Sequence, residues 1–328
     1  MQIHPLISDS KRLAELCARL AKSPFVAVDT EFMRENTYYP DLCLVQLADT
    51  HEAAAIDPKA EGLDLTPMLD LLCANDDVLK VFHAGGQDIE IFFNLTGKTP
   101  YPMFDTQIAA MALGQGEQIG YSNLVDLWMG IQLDKGARFT DWSRRPLDKR
   151  QIDYAIADVT HLSAIFPMML EKLKVTGRGA WLNDEMERIS DAANYRNDPE
   201  NAWSRIKVQS RKPDVLGRLQ AMAAWREKEA QRKNIPRGRI MKDETLADIA
   251  ARAIAPVGAV FAFLTLVTGA LWGKPMWGAW WVWDARLTSM LILFFFYLGF
   301  IALANGFDRA ERGSRPAALL ALVGMINV

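Results

Sequence analysis

Residues 25–32 read FVAVDTEF. This pattern indicates a β-strand, with Val26 and Val28 on one face and Ala27, Asp29 and Glu31 on the other. Asp29 and Glu31 are separated by one residue, so both side chains leave the same face of the strand. Because two acids on a face that should be buried are costly, a cation is expected to neutralise them.

The segments around this strand alternate between helical and strand-like patterns. We predict helices at 9–22, at 64–73 and from Gln87, and strands at 42–47, near 53–56 and at 78–82. Pro146 is predicted to open a long helix. The inner face of that helix is formed by Ile152, Ala155, Ile156, Val159 and Leu162. Alternating helices and strands predict an α/β domain with a mixed central sheet.

The composition bounds the class of protein. The chain has 328 residues, which is long enough for two domains. Its net charge of -3 does not by itself indicate a nucleic-acid binder. The three cysteines, Cys17, Cys43 and Cys73, lie in apolar settings without metal-ligand spacing, so we expect buried free thiols in a reducing compartment. The N-terminal residues show no secretory pattern, and the first 250 residues read as cytoplasmic.

Further candidate catalytic residues lie beyond the first strand. Asp88 follows a Gly85-Gly86 break near the start of a helix, where α/β sheets present functional groups. Tyr154 and Asp158 are four residues apart and share one face of the long helix.

This set of residues suits two-metal phosphodiester hydrolysis. Two divalent ions about 4 Å apart can activate a water molecule and stabilise the leaving 3′ oxygen. Carboxylate oxygens are hard ligands that favour Mg²⁺ or Mn²⁺ over zinc. We predict that Asp29, Glu31, Asp88 and Asp158 bind the two ions. The Tyr154 hydroxyl is predicted to hold the attacking water in line.

At these positions the sequence resembles the tyrosine-bearing subgroup of the DEDD exonuclease superfamily. The three motifs are DTEF at 29–32, HAGGQD at 83–88 and YAIAD at 154–158. The flanking segments RENTY (34–38), LCLVQL (42–47), FDTQ (104–107), TDW (140–142) and RPL (145–147) are similar to the ribonuclease D family. The resemblance runs from about residue 5 to 250 and implies a ribonuclease H-like fold.

The resemblance implies a 3′→5′ exoribonuclease that releases nucleoside 5′-monophosphates, with tRNA precursors as the substrate. A DNA-directed 3′→5′ exonuclease shares every catalytic residue and stays an alternative, because RNA is distinguished at its 2′-OH. Four further residues are substrate candidates: Phe32, His83, Lys135 and Arg138. Phe32 could instead pack in the core, and His83 could cap a helix or pack in the core. Lys135 and Arg138 could instead lie in a solvated loop.

A basic segment lies between Trp203 and Asp243. It contains twelve Lys or Arg against four acids, an excess of +8, and a turn is predicted at 235–238 between two helices. A polar connector is predicted at 199–213, and the helical segment that follows it, from Val215 to about Ala251, is similar to the first half of the helicase-and-RNase-D C-terminal (HRDC) module. That resemblance implies phosphate contacts without base specificity, and a solvated helix face is the rival interpretation.

The remaining residues have a different character. Residues 254–272 and 287–304 carry no charge, and each run is long enough to cross a bilayer. Between them lies WGAWWVWD at 277–284, an aromatic cluster typical of membrane interfaces. Arg309, Arg312 and Arg315 follow the second run and predict that this end and the catalytic domain lie in the cytoplasm. A third apolar segment starts at Pro316.

This tail resembles a fragment of the haem exporter family of cytochrome c maturation, whose tryptophan-rich loop binds haem. The four histidines of the chain, His4, His51, His83 and His161, all precede the tail, which argues against haem transport. The abrupt change near 251–254 is typical of a junction between two unrelated sequences. It leaves a natural gene fusion and an artefact of gene prediction or assembly both open.

The sequence therefore predicts three parts: an exonuclease domain at 1–200, a partial helical module at 210–252 and a transmembrane fragment at 254–328. A membrane haem-handling protein is the alternative function, and the missing ligand histidines weaken it. The catalytic part is expected in the cytoplasm, tethered to the inner membrane if the tail is expressed.

Overall fold

The structure is a computed structural model that describes residues 1–133, 136, 140–208, 212–252 and 254–305. The described residues divide into two compact units, one spanning 1–197 and 230–236 and the other 198–229 and 237 onward. The first unit contains a six-stranded sheet and the second is helical.

The sheet is mixed, as predicted. Its strands are β1 (Gln2–Ile3), β2 (Phe25–Met33), β3 (Asp41–Ala48), β4 (Glu52–Ile56), β5 (Leu79–Phe82) and β6 (Met103–Asp105). Their spatial order is β1-β4-β3-β2-β5-β6. The β2–β3 and β3–β4 pairs are antiparallel, whereas β1–β4, β2–β5 and β5–β6 are parallel.

Helices cover both faces of this sheet. They are α1 (Ser10–Leu20), α2 (Thr66–Cys73), α3 (Gly86–Thr96), α4 (Thr106–Ala112), α5 (Tyr121–Met129), α6 (Lys149–Thr176) and α7 (Asn183–Ser190). One core packs Val26 and Val28 of β2 against α1, α2 and α3. The other packs Ala27 and its neighbours against α4, α5 and α6. The alternation along β2 therefore separates two cores, as expected for a sheet buried on both sides.

The long helix α6 begins later than predicted. Pro146 does not open it, because Asp148 is the N-cap and the helix starts at Lys149. The Asp148 side chain accepts from the Gln151 backbone N–H, and the Gln151 side chain accepts from the Asp148 backbone N–H. This reciprocal capping box fixes the start of the helix. The predicted inner face is otherwise correct, with Ala155, Ile156, Val159 and Leu162 buried.

The second unit begins with a short 3₁₀ helix at Pro199–Arg205, inside the segment predicted to be a polar connector. The next helices are α8 (Pro213–Lys233), whose last four residues belong to the first unit, α9 (Arg237–Ile240) and α10 (Asp243–Arg252). The short helix α9 occupies part of the predicted turn. Arg226, one of the twelve basic residues of the segment 203–243, is buried and pairs with Asp243 at 2.6 Å. Part of the basic excess therefore stabilises this unit internally.

The apolar runs form α11 (Ile254–Trp277) and α12 (Ala285–Asn305), which pack against each other. At Gly258 a Cβ would lie 2.4 Å from the Tyr297 ring, so glycine allows the close approach of the two helices. Within them, Pro256–Trp277 and Ala285–Ala302 are long and apolar enough to cross a membrane by length and composition. The helix α11 continues past the predicted run at 254–272 and ends at Trp277, the first residue of the aromatic cluster. Arg309, Arg312, Arg315 and the third apolar segment lie outside the described residues.

Candidate active site

The end of β2 brings three acids together. Carboxylate oxygens of Asp29, Glu31 and Asp158 all lie within 4.8 Å of one another. Asp29 and Glu31 project from β2, and Asp158 comes from the middle of α6, which packs across that strand. Oxygen atoms at this separation form a suitable cradle for a divalent cation.

Asp88 reaches the same site from the other side of β2. It is buried in the first turn of α3 and accepts a hydrogen bond from the Thr30 hydroxyl. Burial raises the pKa of the Asp88 carboxyl well above its ordinary value, and the neighbouring Asp29 carboxylate raises it further. Thr30 was not predicted as a site residue, because it lies on the opposite face from Asp29 and Glu31.

The turn before α3 is held by Asp105, the N-cap of α4. Its carboxylate accepts from the backbone N–H groups of Ala84 at 3.1 Å, Gly85 at 2.9 Å and Gln107 at 2.8 Å. Gly85 is required here, since a Cβ at this position would lie 2.6 Å from the Phe82 Cβ. This tight turn determines where α3 starts and thereby places Asp88.

The pKa of the Asp29 carboxyl is shifted in the same direction as that of Asp88. Burial raises the pKa of the Asp29 carboxyl well above its ordinary value, and repulsion by Asp158 adds to the shift. The ionised cluster is therefore costly in the metal-free protein, and a divalent cation would remove that cost. The donor set of carboxylate oxygens fits Mg²⁺ or Mn²⁺.

Two tyrosines flank Asp158. The Tyr154 hydroxyl lies near the Asp158 carboxylate, and burial together with Asp158 raises the Tyr154 pKa. The Tyr121 hydroxyl donates to the backbone carbonyl of Asp158, and burial raises the Tyr121 pKa as well. Both phenols are therefore protonated donors at neutral pH. Tyr121 was missed at the sequence level, because a helix start after Gly120 carries no distinctive signal.

These groups line one cavity of about 470 Å³. Its wall includes all five predicted catalytic residues, together with Phe32, His83, Gln87, Gln107, Tyr121 and Ser122. His83 bonds Thr106 at 3.0 Å through Nδ1, and burial lowers the His83 pKa, so the imidazole is neutral at pH 7. Lys135 and Arg138 lie outside the described residues.

With this geometry in place, comparison with known proteins identifies the class. Residues 5–174, more than half of the chain, match the family described as 3′-5′ exonuclease. Ribonuclease D of Sphingobium indicum is 77% identical over 251 residues, which cover 76% of this chain and 65% of that protein. Ribonuclease D of Nitrobacter hamburgensis is 50% identical over 84% of this chain and 71% of its own length.

A solved structure agrees with these matches. The crystal structure of Escherichia coli RNase D, described as an exoribonuclease involved in structured RNA processing, superimposes with a TM-score of 0.69 and 32% identity. The match covers 75% of this chain and 66% of that one. The chain therefore belongs to the ribonuclease D family of 3′–5′ exonucleases, and the predicted fold class and family are confirmed. It spans less than two thirds of the Sphingobium relative's length.

A second family, heme exporter protein C, matches residues 237–328. This match confirms the resemblance noted for the tail, although it begins earlier than the predicted residue 254. The matched region includes α9 and α10 as well as the two apolar helices.

Proposed function

We propose that this chain is a divalent-metal-dependent 3′→5′ exoribonuclease that releases nucleoside 5′-monophosphates. The observation that carries the proposal is the clustering of the Asp29, Glu31 and Asp158 oxygens within 4.8 Å, in one cavity with Asp88 and Tyr154. Family membership supports the reaction type.

The proposed ligands are Asp29, Glu31, Asp88 and Asp158. When bound, two Mg²⁺ or Mn²⁺ ions would activate the attacking water and stabilise charge on the leaving oxygen. Thr30 holds the Asp88 carboxyl in place through its hydroxyl. Such a bond to a ligand's side chain limits its rotation and sets the direction of its oxygen atoms.

Tyr154 is the proposed orienting residue for water. Its raised pKa keeps the phenol protonated, so it acts as a hydrogen-bond donor and acceptor and not as a general base. Its position near Asp158 places the hydroxyl beside a proposed ligand. Tyr121, bonded to the backbone of Asp158, restrains the same turn of α6.

The proposed substrate is the 3′ end of RNA, with tRNA precursors as the natural class. The cavity volume of about 470 Å³ lies in the range of about 300–1,000 Å³ typical of small-molecule pockets, which fits a terminal nucleotide. Phe32 offers an aromatic surface for stacking, and His83 offers a neutral imidazole edge. Lys135 and Arg138 are proposed phosphate contacts on charge alone.

Digestion of RNA and DNA oligonucleotides of the same sequence tests this proposal. Each is labelled at its 5′ end and incubated with the full chain in detergent, with Mg²⁺ or with EDTA. The proposal predicts a ladder that shortens from the 3′ end of RNA only when Mg²⁺ is present. Equal cutting of DNA would favour the DNA-directed alternative, and internal cleavage would contradict an exonuclease.

We further propose that 1–200 is the catalytic domain, 210–252 a partial HRDC-like module that contacts RNA phosphates, and 254–328 a membrane tether. The exposed apolar surfaces of α11 and α12 support the tether, because the described part of each candidate span is less than a fifth buried. The catalytic part would then face the cytoplasm at the inner membrane.

Fractionation of cells that produce the full chain, and a version ending at residue 250, tests the tether. The full chain is expected in the membrane fraction and the shorter chain in the soluble fraction with its nuclease activity retained. Haem titration of the full chain should give no six-coordinate spectrum, because the tail contains no histidine to ligate iron. A soluble full chain would contradict the tether, and a six-coordinate low-spin spectrum would favour haem handling.

A further inference from the structure

Gln46 of β3 has an unusual environment for an amide. Its side chain is fully buried, and neither the amide nitrogen nor the amide oxygen has a hydrogen-bond partner among the described residues. A buried polar group without a partner destabilises a fold. An apolar side chain of the same size would remove that cost, so the glutamine is expected to have a role in another state of the protein.

The register of the sheet places Gln46 beside the proposed metal site. Gln46 is paired with Asp29 across the antiparallel β2–β3 ladder. Directly opposite residues in such a pair point to the same face, with Cβ atoms about 4.5–5.5 Å apart. Leu44 is paired with Glu31 in the same way, but it offers no polar group. Gln46 is thus the polar cross-strand neighbour of Asp29.

The Asp29 carboxyl has no side-chain hydrogen-bond donor within the part of the chain that the structure describes. The Thr30 backbone N–H stabilises the ionised carboxyl and so lowers its pKa. Carboxylates that ligate a cation are themselves held by hydrogen bonds to their remaining oxygen atoms. The corresponding donor for Asp88 is the Thr30 hydroxyl.

We propose that Gln46 is a positioning residue, whose amide N–H donates to the Asp29 carboxylate when Asp29 holds a divalent cation. The proposal rests on the proposed function, since it requires a cation at this site. A rotation of the buried amide then satisfies a donor that has no partner among the described residues and fixes the ligand oxygen at the same time. Gln46 does not touch substrate and acts through Asp29.

Two variants of the full chain in detergent test this role, Gln46→Met and Gln46→Asn. Methionine keeps the volume and removes both unpaired polar atoms, so the Tm measured in EDTA should be equal to or above that of the wild type. The Kd for Mg²⁺, measured by calorimetry without RNA, should rise about 10- to 100-fold. Asparagine keeps a shorter donor and should give an intermediate Kd.

Gln151→Met is the matched control. Gln151 is also buried, but its side chain is bonded to the Asp148 backbone and to Thr140. Its replacement should lower the Tm in EDTA and leave the Kd for Mg²⁺ within about threefold of the wild-type value, because it contacts none of the proposed ligands.

A fall in the Tm of Gln46→Met with an unchanged Kd would show that Gln46 is only structural and would overturn the inference, while the proposed function would stand. If methionine prevents folding, the Kd of Gln46→Asn decides in its place, and a wild-type Kd there overturns the inference. A wild-type chain that binds neither Mg²⁺ nor Mn²⁺ would overturn both this inference and the proposed function.

Discussion

The replacement Arg145→Met should strongly destabilise the first unit, which contains the sheet and the candidate active site. The Arg145 guanidinium bonds both oxygens of Asp57, each at 2.7 Å, and the backbone carbonyls of Cys43 at 2.6 Å and Trp142 at 2.8 Å. These contacts attach the segment before α6 to β3 and to the end of β4. Methionine fills a similar volume but leaves Asp57 and the two carbonyls without this donor.

The expected magnitude follows from the burial of the pair. Removing one partner of a buried ion pair costs about 3–5 kcal/mol. The side chain of Arg145 is 26% exposed and that of Asp57 is 9% exposed, so water partly replaces the lost contacts. We therefore take the lower end, about 3 kcal/mol, which corresponds to a fall in Tm of about 6–12 °C for a unit of this size.

A double-mutant cycle with Asp57→Asn isolates the pairwise contribution. Scanning fluorimetry of the full chain in detergent and EDTA gives the four Tm values. The two single variants should each lose stability, and the double variant should lose much less than their sum. Strictly additive losses would refute the ion pair as the attachment of this segment.

Three further outcomes are expected. Asp29→Asn, Asp88→Asn and Asp158→Asn should each leave less than about a tenth of wild-type RNA hydrolysis, because a lost ligand typically costs several kcal/mol of barrier; a variant above that level would remove its residue from the ligand set. Tyr154→Phe should slow turnover about 100-fold or more with Mg²⁺ affinity retained, and a lower affinity at normal turnover would contradict an orienting role. Burial raises the pKa of the Cys17 thiol to about 12, so the thiol stays protonated in the folded protein at neutral pH. This shift lowers the free energy of unfolding only as the pH rises above about 9, the ordinary pKa of the thiol. Mass spectrometry should therefore find Cys17 unmodified after iodoacetamide treatment of the folded protein at pH 8 and modified after unfolding, and rapid modification of the folded protein would contradict that.

Much of the fold was predictable because its signals are local. The alternation in β2 and the buried run of β3 identify strands directly from residue type. The three-residue strand β6 and the helices α4 and α5 were missed, since short elements depend on packing more than on their own pattern. Pro146 predicted too early a start for α6, because the capping box formed by Asp148 and Gln151 begins the helix at Lys149.

The candidate site was also predictable only in part. The acids and Tyr154 belong to recognisable motifs, and the structure places all five residues in one cavity. Thr30 and Tyr121 could not be predicted, because their contacts with Asp88 and Asp158 join distant parts of the chain. The unpaired state of Gln46 is likewise a property of packing, and its sequence context LCLVQL identifies only a strand.

The acids on β2, α3 and α6 are proposed to hold two divalent cations. Anomalous diffraction from crystals of the protein soaked with Mn²⁺ and a nucleoside 5′-monophosphate would locate these ions. We expect two Mn²⁺ peaks about 4 Å apart, bound by Asp29, Glu31, Asp88 and Asp158, with the nucleotide phosphate beside them. The absence of Mn²⁺ between these side chains, or its binding at another part of the chain, would refute the proposed two-metal site.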